Sequence, residues 1–220
     1  MFEPRTHLIV ALDVGLERAV ELAERLDGRV DGFKIGYDVV LEAGAEGVRE
    51  VARAVGESFV LVDLKVADIP EVSRRIVATV SGRGADAVIV HGFVGRDVVR
   101  ECAREAPVVV VATMSHPGAR RFYDPVCREV VRVCEHLEGV MGFVAPATRP
   151  AQVRAVRELT DKVIISPGVG AQGAEPGSAL EAGADFEIVG RAVTRAEDPE
   201  RAVEELVRAM RSSRPTDGDE

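Results

Sequence analysis

A lysine stands between two aspartates in the run Asp63–Asp68 (DLKVAD). Lysine is scarce in this chain, since only three of its 28 lysine and arginine residues are lysines. An arginine stays charged near neutral pH, whereas neighbouring groups can tune a lysine ammonium until it donates a proton. Because acids beside an ammonium favour its charged form, Lys65 suits a general acid better than a Schiff-base nucleophile. The competing interpretation is an exposed ion pair between Asp63 and Lys65 at a strand end, since such pairs also perturb pKa values.

A glycine-rich segment, Ser166–Gly173 (SPGVGAQG), lies later in the chain and is followed by Gly190 and Arg191. Its Gly168–Gly173 part matches the G-x-G-x-x-G pattern of dinucleotide-binding loops. We reject that function because the match does not open a first strand–helix–strand unit, and no acidic residue ends a strand about 20 residues further on. Glycines let backbone N–H groups approach phosphate oxygens, and an arginine can bind such oxygens with two parallel hydrogen bonds. The segment therefore predicts a phosphate site that Arg191 completes.

The composition is that of a folded globular protein, with 46% hydrophobic and 30% charged residues in a chain of 220. The net charge of −9 argues against a general nucleic-acid surface, which needs a basic stripe. No apolar run approaches the ~20 residues needed to cross a bilayer. The first residues lack the basic and apolar regions of a signal peptide, so we expect a cytoplasmic protein.

The cysteines, Cys102, Cys127 and Cys134, include no C-x-x-C pair, so neither a disulfide framework nor a zinc site is predicted. Cys127 and Cys134 are seven residues apart on a predicted helix, which indicates buried thiols on one face. The histidines and acids show no metal-ligand spacing, although separate strands of a barrel can combine their ligands. We expect no metal.

Eight short β-rich runs alternate with helical stretches along the chain. Most of these runs are almost continuously apolar, which is typical of parallel strands buried on both faces. The predicted strands are His7–Asp13, Gly32–Tyr37, Phe59–Lys65, Ala87–His91, Val108–Met114, Gly142–Ala145, Lys162–Gly168 and Phe186–Gly190. Eight strand–helix units predict an α/β fold, a single (β/α)8 TIM barrel, rather than an open doubly wound sheet.

The last predicted helix marks the end of the barrel domain. Asp198 is a suitable N-cap and Pro199 occupies the first turn. The apolar stripe of this helix is Ala202, Val203, Leu206, Val207 and Met210. We therefore predict one catalytic domain over residues 1–213 and a polar tail over 214–220.

Polar residues cluster where the predicted strands end. Catalytic groups of such barrels lie at these C-terminal ends, and a strand buried on both faces offers no solvent side to a polar residue. The residues concerned are Asp13, Lys34, Asp63, Lys65, His91, Ser115 and His116. Side chains two apart share a face of a strand, about 6.5 Å from one another, so Asp63 and Lys65 should enter one cavity.

The four histidines are less informative. His91 and His116 lie at the predicted strand ends, where we expect them to support the catalytic groups rather than to react. His7 and His136 are expected to be structural or exposed.

Four motifs accompany Asp63–Pro70 (DLKVADIP): they are Ala11–Asp13 (ALD), Lys34–Gly36 (KIG), Met114–Gly118 (MSHPG) and Ser166–Gly173 (SPGVGAQG). Together they resemble the orotidine 5′-monophosphate decarboxylase family, from the first predicted strand to the last. The D-x-K-x-x-D pattern alone also occurs in related sugar-phosphate decarboxylases and aldolases. The resemblance therefore depends on that pattern and the glycine-rich loop together.

The resemblance implies that a pyrimidine carboxylate leaves as CO2 without a metal or an organic cofactor. Lys65 would protonate the resulting C6 carbanion, and Asp63 would lie against the departing carboxylate. Lys34, Asp63, Lys65 and Asp68 would form an alternating charged network, with Asp68 supplied by the partner subunit of a homodimer. Substrate contacts would come from Asp13 and Lys34 at the ribose, Ser115 at the pyrimidine, Gln172 and Arg191 at the phosphate, and from Ile69, Pro167, Val169 and Gly190 around them.

One position departs from the family pattern. The family usually carries a threonine two residues after D-I-P, whose hydroxyl reaches the ribose across the dimer interface, and here that residue is Val72. Ser73 follows, but one helix step rotates a side chain by about 100°, so we expect that Ser73 does not replace the threonine.

Three functions remain open from the sequence. The first is a cofactor-independent decarboxylase of orotidine 5′-monophosphate. The second is a metal-dependent decarboxylase or aldolase of a sugar phosphate, and the third is a nucleotide-binding barrel without activity.

Overall fold

The computed structural model describes residues 4–213, which form a closed barrel of parallel strands. The strands are β1 (Leu8–Leu12), β2 (Gly32–Ile35), β3 (Phe59–Val66), β4 (Ala87–His91), β5 (Val108–Val111), β6 (Val140–Val144), β7 (Val163–Pro167) and β8 (Phe186–Val189). Each strand pairs with the next one in the chain, and β8 closes the barrel on β1. All C-terminal strand ends therefore meet at one opening.

Helices connect the strands and surround the barrel, because parallel neighbours need crossover connections. They are α1 (Leu16–Leu26), α2 (Tyr37–Ala54), α3 (Pro70–Ser81), α4 (Arg96–Glu105), α5 (Ala119–Phe122), α6 (Asp124–Cys134), α7 (Pro150–Arg157), α8 (Ser178–Glu181), α9 (Arg191–Thr194) and α10 (Pro199–Ser213). None of the helices within residues 4–213 is long and apolar enough to span a membrane.

Alternate strand residues belong to two separate cores. The inward-facing residues fill the barrel and include Ile9, Leu61, Ile89, Val109, Val111, Val144, Ile165 and Ile188. The outward-facing residues pack under the helices and include Leu8, Val10, Phe33, Val62, Val88, Val110, Phe143 and Ile164. Both faces of each strand are thus covered, which explains why the strand sequences are apolar at nearly every position.

The predicted barrel is confirmed, with all eight strands in the expected order. The strand ends differ from the prediction by up to three residues. Strand β5 ends at Val111 instead of Met114, and β6 begins at Val140, two residues before its predicted start. The pairing of β5 with β6 shifts register between Val108 and Val109, at the start of both strands.

Helix α10 and the cysteines also agree with the sequence patterns. The Asp198 carboxylate accepts the Arg201 backbone N–H at 3.0 Å, as an N-cap does. Val203, Val207 and Met210 are buried, and Ala202 and Leu206 are partly buried. The predicted tail over 214–220 lies outside the described residues.

The three cysteine thiols are free and buried, which confirms the predicted burial of Cys127 and Cys134 and adds Cys102. Burial raises the pKa of each thiol to about 11. They are therefore protonated, inert core side chains at neutral pH.

Strand β3 contains the one irregularity that concerns the site. Asp63 pairs with Ile89 of β4, but the next paired residue is Val66, opposite Val90. The two residues between them bulge out of the pairing, and Lys65 has a left-handed backbone with φ of +43°. The Leu64 carbonyl accepts the Tyr37 hydroxyl at 2.5 Å. Strand β3 is thus irregular at the point where it brings Asp63 and Lys65 to the barrel opening.

Candidate active site

A cavity of about 190 Å³ opens at the C-terminal ends of the strands. Its walls come from β1, β2, β3, β7 and β8 and from the loops that follow β7 and β8. The lining residues are Ala11, Asp13, Lys34, Asp63, Lys65, Pro167, Gly168, Val169, Ala171, Gln172, Ile188, Gly190 and Arg191. The charged motifs and the glycine-rich segment therefore line one cavity, which is the single site that the sequence predicts.

Two lysines and two aspartates alternate along one wall. The Lys65 ammonium lies 2.7 Å from Oδ2 of Asp63, and the Lys34 ammonium lies 3.6 Å from the same oxygen. Lys34 also donates to Oδ1 of Asp13 at 2.9 Å. Asp63 is thus held between two ammonium groups, and its other oxygen, Oδ1, is buried without a hydrogen-bond partner among residues 4–213. This arrangement refutes the interpretation of an isolated, exposed ion pair at a strand end.

The environment of Lys34 keeps its ammonium charged. Burial acts to lower the pKa of Lys34, but the carboxylates of Asp63 and Asp13 together raise it above its usual value. Gly36 leaves room for this cluster, because a Cβ there would lie 2.8 Å from Oδ1 of Asp13 and 3.3 Å from the Lys34 nitrogen. Sequence reasoning missed this steric role of Gly36, although the glycine belongs to a quoted motif.

Asp68 and Ile69 lie outside the cavity. The Asp68 carboxylate accepts the backbone N–H of Ile69 at 2.7 Å and forms no ion pair with Lys65 within the described part of the chain. The Ile69 side chain is 63% exposed. One chain therefore brings Asp13, Lys34, Asp63 and Lys65 together and leaves Asp68 at the surface.

Ser73 cannot take the place of the missing threonine. It is fully buried, and its hydroxyl donates to the Asp68 carbonyl at 2.8 Å while accepting the Asp68 N–H at 3.1 Å. These bonds support the expectation for Ser73, which stays a prediction. Its hydroxyl instead fixes the backbone of Asp68, a role that sequence reasoning did not identify.

The glycine-rich loop closes on itself beside Arg191. The Gly170 N–H donates to the Ala174 carbonyl at 2.8 Å, and the Gly173 N–H donates to the Gly170 carbonyl at 2.9 Å. Gly168, Gly170 and Gly173 all have positive φ angles, which side chains with a Cβ rarely adopt. Gln172 and Arg191 are exposed at the rim, and the Arg191 guanidinium is 3.4 Å from the Ala171 carbonyl. The exposed side chains of Gln172 and Arg191 can donate hydrogen bonds to an anion at this end of the cavity.

Ser115 is half-buried and does not line the cavity. The Arg149 guanidinium holds its loop, since it donates to the Met114 carbonyl at 3.1 Å and pairs with Asp124. Asp124 also accepts the Thr113 hydroxyl at 2.9 Å. Sequence reasoning missed this network, because its members are distant along the chain.

The histidines lie as predicted. His91 is buried at the end of β4 against Phe93 and Tyr123, with ring centroids 4.8 Å and 5.7 Å away. His116 contacts the same Tyr123 ring. Burial lowers the pKa of His91 to about 4; the Lys65 charge adds to this effect, and Asp63 opposes it. His7 bonds to the Asp185 carbonyl at 2.8 Å, and His136 is exposed.

The low pKa of His91 predicts a measurable acid dependence of stability. An unfolded histidine titrates near pH 6.5. Between pH 6.5 and about 4, this histidine is therefore protonated in the unfolded chain and neutral in the folded protein. The free energy of unfolding should therefore fall less steeply with acidification in His91→Gln than in the original protein. Urea unfolding from pH 7 to pH 4.5 measures this, with exposed His136→Gln as the control. Parallel pH curves for the original protein and His91→Gln would contradict the prediction.

No group of three or more histidine, cysteine, aspartate or glutamate side chains within residues 4–213 is placed to hold a metal ion.

Comparisons with known proteins agree with this geometry. The model of the orotidine 5′-phosphate decarboxylase / HUMPS family matches residues 6–206. Orotidine 5′-phosphate decarboxylase of Methanosarcina mazei is 42% identical, over 96% of this chain and 97% of its own. The corresponding enzyme of Thermococcus kodakarensis is 39% identical, over 91% and 95%.

Solved structures of the same family superpose closely. Orotidine 5′-phosphate decarboxylase of Pyrococcus horikoshii has a TM-score of 0.85 at 36% identity and covers 93% of this chain and 99% of its own. The Methanocaldococcus jannaschii enzyme, solved with the inhibitor BMP, has a TM-score of 0.86 at 33% identity, with 96% and 99% covered. The chain therefore belongs to the orotidine 5′-phosphate decarboxylase / HUMPS family.

Proposed function

We propose that this protein converts orotidine 5′-monophosphate to uridine 5′-monophosphate and CO2 in pyrimidine biosynthesis, without a metal or an organic cofactor. The observation that carries the proposal is the alternating network of Lys65, Asp63, Lys34 and Asp13 in the cavity that the glycine-rich loop also lines. The family name alone covers HUMPS as well, but the similar curated proteins are named orotidine 5′-phosphate decarboxylases.

Lys65 and Asp63 perform the chemistry in this proposal. The bond between C6 and the carboxylate breaks, CO2 leaves, and the electron pair stays on C6. The Lys65 ammonium transfers one proton to C6 and regains a proton from solvent afterwards. Asp63 lies against the substrate carboxylate, while the fixed charge of Lys65 stabilises the developing carbanion. The 2.7 Å contact between the two side chains keeps the ammonium at the reacting end of the cavity.

The other lining residues hold the nucleotide. Asp13 and Lys34 bind the ribose, and Gln172 and Arg191 bind the phosphate with the loop amides. Pro167, Val169 and Gly190 form the walls between these ends, and Ile69 and Ser115 reach the substrate from outside the cavity described above. Phosphate binding can close the loop that carries Gln172, so that remote binding energy contributes in the transition state.

The active form is a homodimer in which the partner supplies Asp68 to each site. Two observations support this assembly: Asp68 is exposed without an ion pair in the described chain, and large apolar side chains are exposed after several of the strand ends. Tyr37, Leu41, Ile69, Phe93 and Phe122 are each more than half exposed and follow the C-terminal ends of β2 to β5. An apolar surface beside the opening is suited to contact with a second copy.

Val72 weakens one ribose contact in this dimer. Its side chain offers no hydroxyl to the partner's site, and the Ser73 hydroxyl is occupied by the Asp68 backbone. The cost is that of one ordinary hydrogen bond, about 0.5–1.5 kcal/mol. We place the enzyme in the cytoplasm, since its three thiols are free.

An assay of purified protein tests the proposed reaction directly. We expect the absorbance of orotidine 5′-monophosphate to fall and uridine 5′-monophosphate to form at an undiminished rate with EDTA present. Activity that needs added magnesium and a ketose phosphate would favour the sugar-phosphate enzyme. Tight binding of uridine 5′-monophosphate with no turnover would favour the inactive nucleotide-binding barrel.

A further inference from the structure

A carboxylate is buried behind the phosphate end of the cavity. Glu187 lies on β8 and is fully buried. Its neighbours Phe186 and Ile188 face the barrel interior, so Glu187 points outward, towards α8. One oxygen accepts the Gly177 N–H at 2.8 Å, and the other accepts the Ala179 N–H at 2.8 Å. Glu187 thus binds the backbone that leads into α8.

These hydrogen bonds come with a cost that an apolar residue would avoid. Burial raises the pKa of the Glu187 carboxyl, the Glu181 charge adds to this rise, and the amides of Gly177, Ala179 and Leu180 oppose it. Val189 fills the next outward position of β8 with an ordinary apolar contact. A buried, unneutralised carboxylate in such a strand is therefore best explained by the backbone geometry that it fixes.

The backbone that Glu187 holds is the end of the glycine-rich loop. The loop closes at Ala174, which accepts from Gly170, and only two residues separate Ala174 from Gly177. Gly177 has a φ of +92°, and a Cβ there would lie 2.4 Å from the Ser213 side chain, so its amide has little freedom to reorient. In the other direction along β8, Arg191 follows Glu187 by four residues. One side chain thereby connects the two loops that form the phosphate end.

We propose that Glu187 is a positioning residue for phosphate recognition. By fastening the end of the glycine-rich loop to β8, it sets the separation between the loop donors and the Arg191 guanidinium. This inference rests on the proposed function, in which that end of the cavity binds the phosphate of a nucleotide. The residue itself touches no substrate.

The test compares ligands that differ only in the phosphate. Glu187→Gln keeps the shape of the side chain but turns an NH2 group towards one of the two backbone donors. We expect its affinity for uridine 5′-monophosphate to fall about tenfold, with uridine binding unchanged. Calorimetry gives both affinities. Glu175→Gln removes an exposed negative charge from the same segment and should match the original protein.

Each outcome of this comparison decides the assignment. Equal weakening of nucleotide and nucleoside, or a lower melting temperature with both affinities unchanged, would make Glu187 a purely structural anchor. Glu187→Asp keeps the charge on a shorter stem and should give an intermediate loss; it decides the question alone if Glu187→Gln does not fold. If the original protein binds uridine 5′-monophosphate no better than uridine, the proposed phosphate site fails instead.

Discussion

Replacing Lys65 with alanine is expected to lower kcat by at least about 10⁴-fold while the barrel remains folded. Two losses combine in this variant: the proton donor for C6 and the fixed positive charge beside the developing carbanion. Removal of the ammonium also leaves Asp63, buried at the reacting end, with Lys34 as its remaining cation at 3.6 Å. Single-turnover rates measured with saturating substrate would separate this chemical defect from weaker binding.

Two further variants make this experiment specific. Lys65→Arg keeps a positive charge on a group that does not release its proton, and we expect it to be nearly as inactive as Lys65→Ala. Lys162→Ala removes the third lysine, whose ammonium contacts the Val140 carbonyl. Val140 begins β6 and so lies at the end of that strand away from the barrel opening. This variant should therefore retain activity. Substantial turnover by Lys65→Ala or Lys65→Arg would exclude Lys65 as the acid.

A mixed dimer of Lys65→Ala and Asp68→Ala chains is expected to regain about half of the original activity. Each variant alone should lose at least about 100-fold, because every site then lacks one charged group. In the mixed dimer, the Asp68→Ala chain contributes an intact Lys65 and the other chain contributes an intact Asp68. The mixed dimer therefore has one complete active site out of two. Co-expression with two affinity tags isolates this species for assay.

The reverse arrangement is the matched control. A dimer of one original chain and one chain with both substitutions has no complete site if Asp68 acts across the interface, and one complete site if it acts within its own chain. Activity in this control but not in the mixed dimer would therefore overturn the shared-site proposal. Full activity of a particle that light scattering measures as a monomer would do so as well.

The barrel and most of the cavity could be predicted because they depend on local patterns. Eight apolar runs fixed the number and order of strands, and the position of Asp13, Lys34, Asp63 and Lys65 near strand ends brought them to one opening. The glycine-rich loop was recognisable for the same reason. A periodic strand pattern combined with one rule about barrel openings is sufficient to locate these groups.

Other features of the site depend on contacts between distant parts of the chain. The network of Arg149, Asp124 and Thr113 joins the loop after β5, the first residue of α6 and the residue before α7, and no spacing in the sequence indicates it. Glu187 is a similar case, because an acid in an apolar strand is unremarkable until its two backbone donors are known. The prediction that Asp63 and Lys65 share one face of a regular strand was incomplete, since the bulge between Asp63 and Val66 interrupts that strand.

The bulge in β3 separates the reactive lysine from the residues that hold this strand in the barrel. Lys65 has a left-handed backbone outside the regular pairing of β3 with β4, and its half-exposed side chain belongs to neither apolar core. The residues that hold β3 in the barrel, such as Leu61 and Val62, lie further back along the strand. Selection can therefore exchange the reactive group for another, and so recruit the same fold to a new reaction, without rebuilding the protein interior.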